Sequence, residues 1–234
     1  MKRVTAPDAW AGAADCMNCA IRHSVLFARL EREDFERLHR PIDQIVAPAG
    51  ATIYSAGAPA RTLYTLRSGL VKLTQFLPDG GQRIVRLHRK SDLLGLEALI
   101  ETEYAHTATA LQPVELCRLP VDMVRTLSQQ NSVLFHELMA RWSRALASAD
   151  RWITEFSTGA ARARVARLLL WLAEFEAGGP IELFTREDLG ALLGLTTETA
   201  SRTMAELKRQ GAIREPRINQ FVVDSAELKR LVDL

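Results

Sequence analysis

The chain has 234 residues, 47% apolar and 25% charged, with a formal charge of +2, which is enough to bury a sizeable core and, by length, to form two domains. No apolar run reaches the length of a membrane span, the N-terminal MKRVTAPDAWAGAAD lacks the apolar stretch of a signal peptide, and three cysteines suit a reducing compartment, so a cytoplasmic protein is expected. No nucleophile–base pair, carboxylate dyad or phosphate loop stands at a usable spacing, and the sequence does not read as an enzyme.

Residues 1 to 15 are small and polar enough to be a tail. Cys16 and Cys19 form a C-x-x-C, followed by His23 and a helical pattern to about Arg40 through Leu26, Phe27, Leu30, Phe35 and Leu38. By itself that pair is compatible with a metal, a cluster, a reversible disulfide or two inert thiols. From Ile42 to Leu119 the texture changes to short β-branched and aromatic runs punctuated by glycines. Thr62–Leu66, Leu70–Phe76, Arg83–His88, Thr107–Leu111 and Glu115–Leu119 are strand-like, and Asp79-Gly80-Gly81 is a hairpin turn. An antiparallel all-β sandwich or barrel is expected there.

Asn131 to Phe156 contains neither glycine nor proline. Phe135, Trp142, Ala149 and Phe156 recur every seven residues, with Leu138, Ala145 and Trp152 three positions after the first three, and Met139, Leu146 and Ile153 widen the stripe. That period predicts a long helix that pairs with a copy of itself while resting on its own β domain. Ser157-Thr158-Gly159 reads as a hinge, Ala160 to Ala177 as a helix, and Ile181 to Phe184 as a short strand.

Thr185 then caps a helix through Leu189, Leu192 and Leu193 that Gly194 stops, and Thr196 caps a second helix after a tight turn. On that second helix Ala200, Met204 and Leu207 fall on one side. Thr197 stands at its start, and Glu198, Ser201 and Arg202 share the opposite, polar side. Two short helices, a glycine-bearing turn and such a face describe a helix-turn-helix. Arg can fork onto guanine, Glu can accept from cytosine, and Ser can serve several bases. Ala212–Glu215 and Ile218–Val223, turning at Pro216-Arg217, predict a wing with Arg214 and Arg217 near its tip for phosphate contact. From Ser157 onward 11 Lys/Arg stand against 11 Asp/Glu, but between Arg202 and Arg217 five basic residues stand against two acidic ones. The DNA reading therefore rests on local arrangement rather than bulk charge.

This order of units resembles the CRP/FNR family of bacterial transcription regulators. Pro48-Ala49-Gly50-Ala51-Thr52-Ile53-Tyr54-Ser55-Ala56-Gly57 and Leu63-Tyr64-Thr65-Leu66-Arg67-Ser68-Gly69 resemble its cyclic-nucleotide-binding signature. Gly194-Leu195-Thr196-Thr197-Glu198-Thr199-Ala200-Ser201-Arg202 resembles an FNR-type recognition helix. The likeness implies an α+β fold with an N-terminal antiparallel β-roll, a long dimerisation helix and a C-terminal winged helix-turn-helix. It implies a tail and cysteine segment at 1–30, a sensor roll at 31–130, a dimerisation helix and hinge at 131–158, and a DNA-binding domain at 159–234.

By the same likeness, Glu198, Ser201 and Arg202 read TTGAT-like half-sites in an inverted repeat of double-stranded DNA. RNA polymerase is touched from the loop at Asp79-Gly80-Gly81, so that activation is expected. Where cAMP-binding relatives carry Gly-Glu and Arg-Ser pairs, this chain shows Gly95-Leu96 and Tyr104-Ala105, so cAMP is not an expected ligand. The FNR branch holds a 4Fe-4S cluster on N-terminal cysteines and one from the roll. Cys16, Cys19 and Cys117 match three of them, while the remaining position falls on Val25 or Phe27. His23 could complete a mixed site, a disulfide to Cys117 could form a thiol switch, or the set could be a relic. Haem, with His88 or His106 as an axial residue, is a further possibility. A different class of function, a redox or ligand sensor acting through protein partners, uses the same features without DNA.

Overall fold

The computed structural model describes residues 26–27, 42–174 and 179–232. Cys16, Cys19, His23, the N-terminal helical pattern apart from Leu26 and Phe27, and the end of the helix expected to reach Ala177 lie outside them. The chain divides into two compact units, one built from the residues up to Gln75 with Leu87–Leu146, the other from Phe76–Arg86 with the residues from Ala147 onward.

Between Asp43 and Pro120 short antiparallel strands form two four-stranded sheets. In chain order these are β1 (Asp43–Ala47), β2 (Thr52–Tyr54), β3 (Thr62–Ser68), β4 (Val71–Phe76), β5 (Gln82–His88), β6 (Leu93–Leu94), β7 (Thr107–Ala110) and β8 (Val114–Pro120). One sheet runs β1-β8-β3-β6 and the other β2-β7-β4-β5. β8 is interior, its Leu116 and Leu119 opposite Leu66 and Leu63 of β3. All four leucines are fully buried, and each such side chain contributes roughly 1.5–3 kcal/mol on leaving water. Asp43 and Arg118, paired across β1 and β8, form a shielded ion pair at 3.2 Å.

Helix α1 (Val121–Gln130) follows, and Asn131 separates it from α2 (Ser132–Arg151). Asn131 is extended, and its Oδ1 accepts from the Leu134 N–H at 3.0 Å, so it caps the new helix instead of continuing the old one. The apolar stripe on α2 is divided. Leu134 and Leu138 are buried, whereas Phe135, Met139, Leu146 and, in the continuing turn, Ile153 are exposed. With the half-buried Trp142 and Ala149 between them, the six positions together follow a 4-3-4-3-4 spacing, that of a coiled-coil seam.

In the second unit, Trp152–Phe156 continues α2 as a π-helix. Trp152, Phe156 and Trp171 cluster with ring centroids 4.4, 5.9 and 6.4 Å apart. Arg167, on α3 (Ala161–Ala173), donates to the carbonyls of Glu155 (2.6 Å) and Thr158 (2.9 Å) and so pins the segment expected to be a hinge. The remainder is β9 (Ile181–Glu182), α4 (Arg186–Leu193), α5 (Thr197–Arg209), β10 (Ile213–Arg217), β11 (Gln220–Val223) and α6 (Ser225–Val232), with the sheet ordered β10-β11-β9. The sequence reading does not identify α6, whose Leu228 is fully buried. No helix among the described residues is long and apolar enough to cross a membrane.

Candidate nucleic-acid interface

The two-helix unit is capped at three of its ends. Thr185 Oγ1 accepts from the Asp188 N–H at 3.1 Å and donates to Asp188 Oδ2 at 3.0 Å, a reciprocal N-cap for α4. At the other end Gly194 is left-handed (φ 65°), and Arg164 Nη1 donates to the Leu193 carbonyl at 2.7 Å, answering an otherwise orphaned helix-end acceptor. Thr196 Oγ1 accepts from the Thr199 N–H at 3.1 Å and caps α5.

Gly190, within α4, makes the tight approach possible. A Cβ there would lie 2.7 Å from the Leu195 carbonyl oxygen, so no side chain fits between α4 and the turn. The sequence reading places the turn glycine correctly at Gly194 but has no signal for Gly190, because a glycine inside a helix reads only as a weak helix former.

On α5, Ala200, Thr203, Met204 and Leu207 are buried while Thr197, Glu198, Ser201 and Arg202 are exposed, as is Thr196 before them. Arg202 Nη2 meets Glu198 Oε1 at 3.1 Å across one helical turn. The polar face therefore presents donor, acceptor and hydroxyl together, with the guanidinium steadied by a weak, exposed partner. Arg214 and Arg217 are exposed on β10.

The wing turns later than expected. Pro216 and Arg217 lie in β10, Arg217 pairs with Gln220, and the reversal falls at Ile218-Asn219. Asn219 accounts for the difference, since it adopts the left-handed conformation (φ 61°) that asparagine tolerates. Arg217 is thus beside the tip, and Arg214, opposite Val222, is farther down the hairpin.

The residues expected to sense a signal are less completely placed. Cys117 is buried on β8, opposite Gln44 of β1 and Thr65 of β3, with Arg67 Nη1 3.7 Å from its sulfur. No group of three His, Cys, Asp or Glu suited to a metal ion occurs among the described residues. His88 is buried with Nδ1 3.7 Å from Asp92, and His106 stands 4.0 Å from Glu97.

Gly95 precedes a short 3-10 helix, Leu96–Leu99, in which Leu96 is buried. Tyr104 stacks on Tyr54 at 4.0 Å and donates its hydroxyl to the Thr62 carbonyl at 2.6 Å. Burial pushes that hydroxyl's pKa upward, so the phenol stays neutral. Residues 95–107 hold neither Lys nor Arg. The segment therefore offers a cyclic phosphate no arginine or lysine.

A β-roll carrying a long helix, with a capped helix-turn-helix and wing that display exposed polar and basic side chains, defines a DNA-binding transcription regulator. A cyclic nucleotide-binding domain model matches residues 44–131 and a Crp-like helix-turn-helix domain model residues 163–231, about two thirds of the chain together. The chain is 28% identical over 231 residues to the transcriptional regulatory protein btr of Bordetella pertussis, covering 94% of each. It is 29% identical to the transcriptional activator protein anr of Pseudomonas aeruginosa, over 92% of this chain and 91% of that one. The solved structure of FixK2 from Bradyrhizobium japonicum matches 81% of this chain and 96% of its own, with a TM-score of 0.74 at 25% identity. The chain belongs to the CRP/FNR family of transcription regulators, whose members here are regulators and not enzymes.

Proposed function

We propose that the protein is a cytoplasmic homodimer that reads an inverted repeat of TTGAT-like half-sites and activates transcription by touching RNA polymerase. The observation that carries this reading is the exposed Glu198–Ser201–Arg202 face on α5, a helix capped at its start by Thr196. Thr196 and Thr197, at the helix's N-terminal end, would meet the phosphate beside the read bases, and Arg214 and Arg217 the backbone along the wing. Roughly 34 Å, one DNA turn, separates the two helices of a dimer that reads successive major grooves. The exposed seam of Phe135, Met139, Leu146 and Ile153 supports pairing through α2, because four large apolar side chains on one stripe otherwise stay in water. Activation is supported by the activator named among the relatives. The working division is a cysteine segment at 1–30, a roll at 31–130, the pairing helix and hinge at 131–158, and the DNA-binding part from 159.

The signal we propose is redox or a small molecule acting through Cys16, Cys19 and Cys117, with His23 as the additional ligand if iron is held. A cluster there would supply oxygen-labile chemistry; without it, Cys16 or Cys19 would form a reversible disulfide with Cys117 under a two-electron thiol oxidant. The route from roll to seam runs through α2. Arg141 donates to the Ser91 carbonyl at 2.8 Å, and Glu137 lies 3.0 Å from both Arg141 and Arg144. A shift of the Ser91 turn thereby turns the seam.

A gel shift on an inverted-repeat TTGAT duplex against a scrambled duplex tests the DNA reading. Absence of a preference refutes it and leaves a sensor that works through protein partners. Anaerobic purification with iron and sulfide analysis, repeated on Cys117→Ser, tests the signal. Stoichiometric iron lost in the variant establishes the cluster, and iron-free protein removes it.

A further inference from the structure

One carboxylate joins the wing to the recognition helix. Glu215, on β10, accepts a hydrogen bond from Lys208 Nζ near the end of α5 at 2.5 Å, and another from the backbone N–H of Asn219 in the wing turn at 3.1 Å. Asn219 is the left-handed residue of that turn (φ 61°). Arg186 of α4 adds a favourable charge, and its guanidinium stands 5.4 Å from the centre of the Phe221 ring on β11. Lys208 and the Asn219 N–H hold the Glu215 carboxyl below the usual carboxylate range, so it is ionised at neutral pH. Groups from α4, α5 and the wing turn thus converge on one anion.

The position is unexpected for an acid. Arg214 and Arg217 flank it on the strand proposed to face phosphates, where an unpaired carboxylate would repel the duplex. Both acids between Arg202 and Arg217 are engaged, Glu206 by Arg162 (3.6 Å) and Gln210 (3.1 Å), and Glu215 by Lys208. Beyond the clamp, Arg217 and Ile218 project from the tip, Ile218 with 89% of its surface exposed. At 1.5 Å of rise per residue, Lys208 lies about 15 Å along α5 from Glu198. That distance spans roughly four base-pair steps of 3.4 Å, so the wing would reach DNA outside the base pairs that the start of α5 reads.

We infer that Glu215 is a positioning residue that holds the wing tip, Arg217-Ile218-Asn219, against the duplex flanking each half-site. The inference rests on the DNA reading of α5. Its consequence is that loss of the clamp is felt by the flank and not by the half-site.

The test uses the full-length protein, fluorescence anisotropy at fixed salt, and two inverted-repeat duplexes. One ends at the outer base pair of each half-site, and the other extends about ten base pairs beyond, close to one helical turn. Wild type is expected to bind the long duplex about tenfold more tightly (~1.4 kcal/mol). Glu215→Ala should erase most of that advantage while leaving the short duplex within about twofold. Glu215→Gln, which keeps an oxygen for the Asn219 N–H, should retain a large part of it. Simple removal of a negative charge predicts the reverse, a rise in affinity for both duplexes. Such a rise, or an equal loss on both from a protein with unchanged circular dichroism and Tm, overturns the clamp. Failure of the wild type itself to bind either duplex overturns the DNA reading, and the clamp with it.

Discussion

Arg202→Ala separates recognition from folding, because the two effects differ in size. The Arg202 and Glu198 side chains are 69% and 84% exposed, so their 3.1 Å ion pair is worth only ~0.3–0.5 kcal/mol. Alanine restores part of that through its helix propensity. The expected change in stability is therefore below about 0.5 kcal/mol, a shift in Tm of about 1–2 °C for a chain of this length. A bidentate arginine–guanine contact is worth ~1–3 kcal/mol of discrimination, or roughly 5- to 150-fold between the right and wrong base pair. The measurement is anisotropy with a panel of duplexes carrying single base-pair changes across one half-site, at one salt concentration. The variant should lose discrimination at one position and keep it at the others. An equal loss of affinity for the cognate and a random duplex would refute the assignment, since that is how a phosphate contact behaves.

Other residues carry distinct expectations. Gly190→Ala places a Cβ 2.7 Å from the backbone oxygen of Leu195, which cannot rotate away. The strain of ~1–3 kcal/mol exceeds the gain in helix propensity, so Tm should fall, and a rise would contradict the close approach. Thr196→Ala removes the cap of α5 and should cost ~1 kcal/mol in chemical denaturation, with Thr196→Asp retaining most of it. Arg217→Ala should lower the slope of log Kobs against log salt by about 0.9 for each phosphate that the arginine neutralises, while single-base discrimination stays unchanged. Leu146→Glu puts a charge in the exposed seam and should give a species of 26.1 kDa in sedimentation equilibrium, where the wild type is expected at twice that mass.

Features set by local chemistry were legible in the sequence. Thr185 and Thr196 announce helix starts because a threonine hydroxyl can satisfy an N–H at the first turn, and the structure shows both doing so. Gly194 announces a helix end because only glycine takes the left-handed cap without penalty. The strands β3, β4, β5, β7 and β8 follow from β-branched and aromatic runs. By contrast, β2 and β6 are three and two residues long, too short for alternation to register. The periodicity of α2 was evident as well. Which side of its stripe would face outward was not, because Leu138 and Met139 have the same polarity and only the rest of the fold buries one and exposes the other.

What the sequence concealed depends on pairs distant along the chain or on backbone geometry. Pro216 sits in the expected wing turn, yet proline is also tolerated in an edge strand, and Asn219 takes the left-handed turn position instead. That shift of two residues changes the meaning of Glu215. With a turn at Pro216-Arg217 it would be a strand-end acid of no consequence; with the turn at Ile218-Asn219 its carboxylate lies within reach of both the turn's N–H and Lys208 seven residues earlier. Charge counting in the sequence registers Glu215 as a subtraction from a basic surface. In the structure it connects the two elements that carry that surface, so the balance of charges and the placement of charges give opposite expectations for its removal.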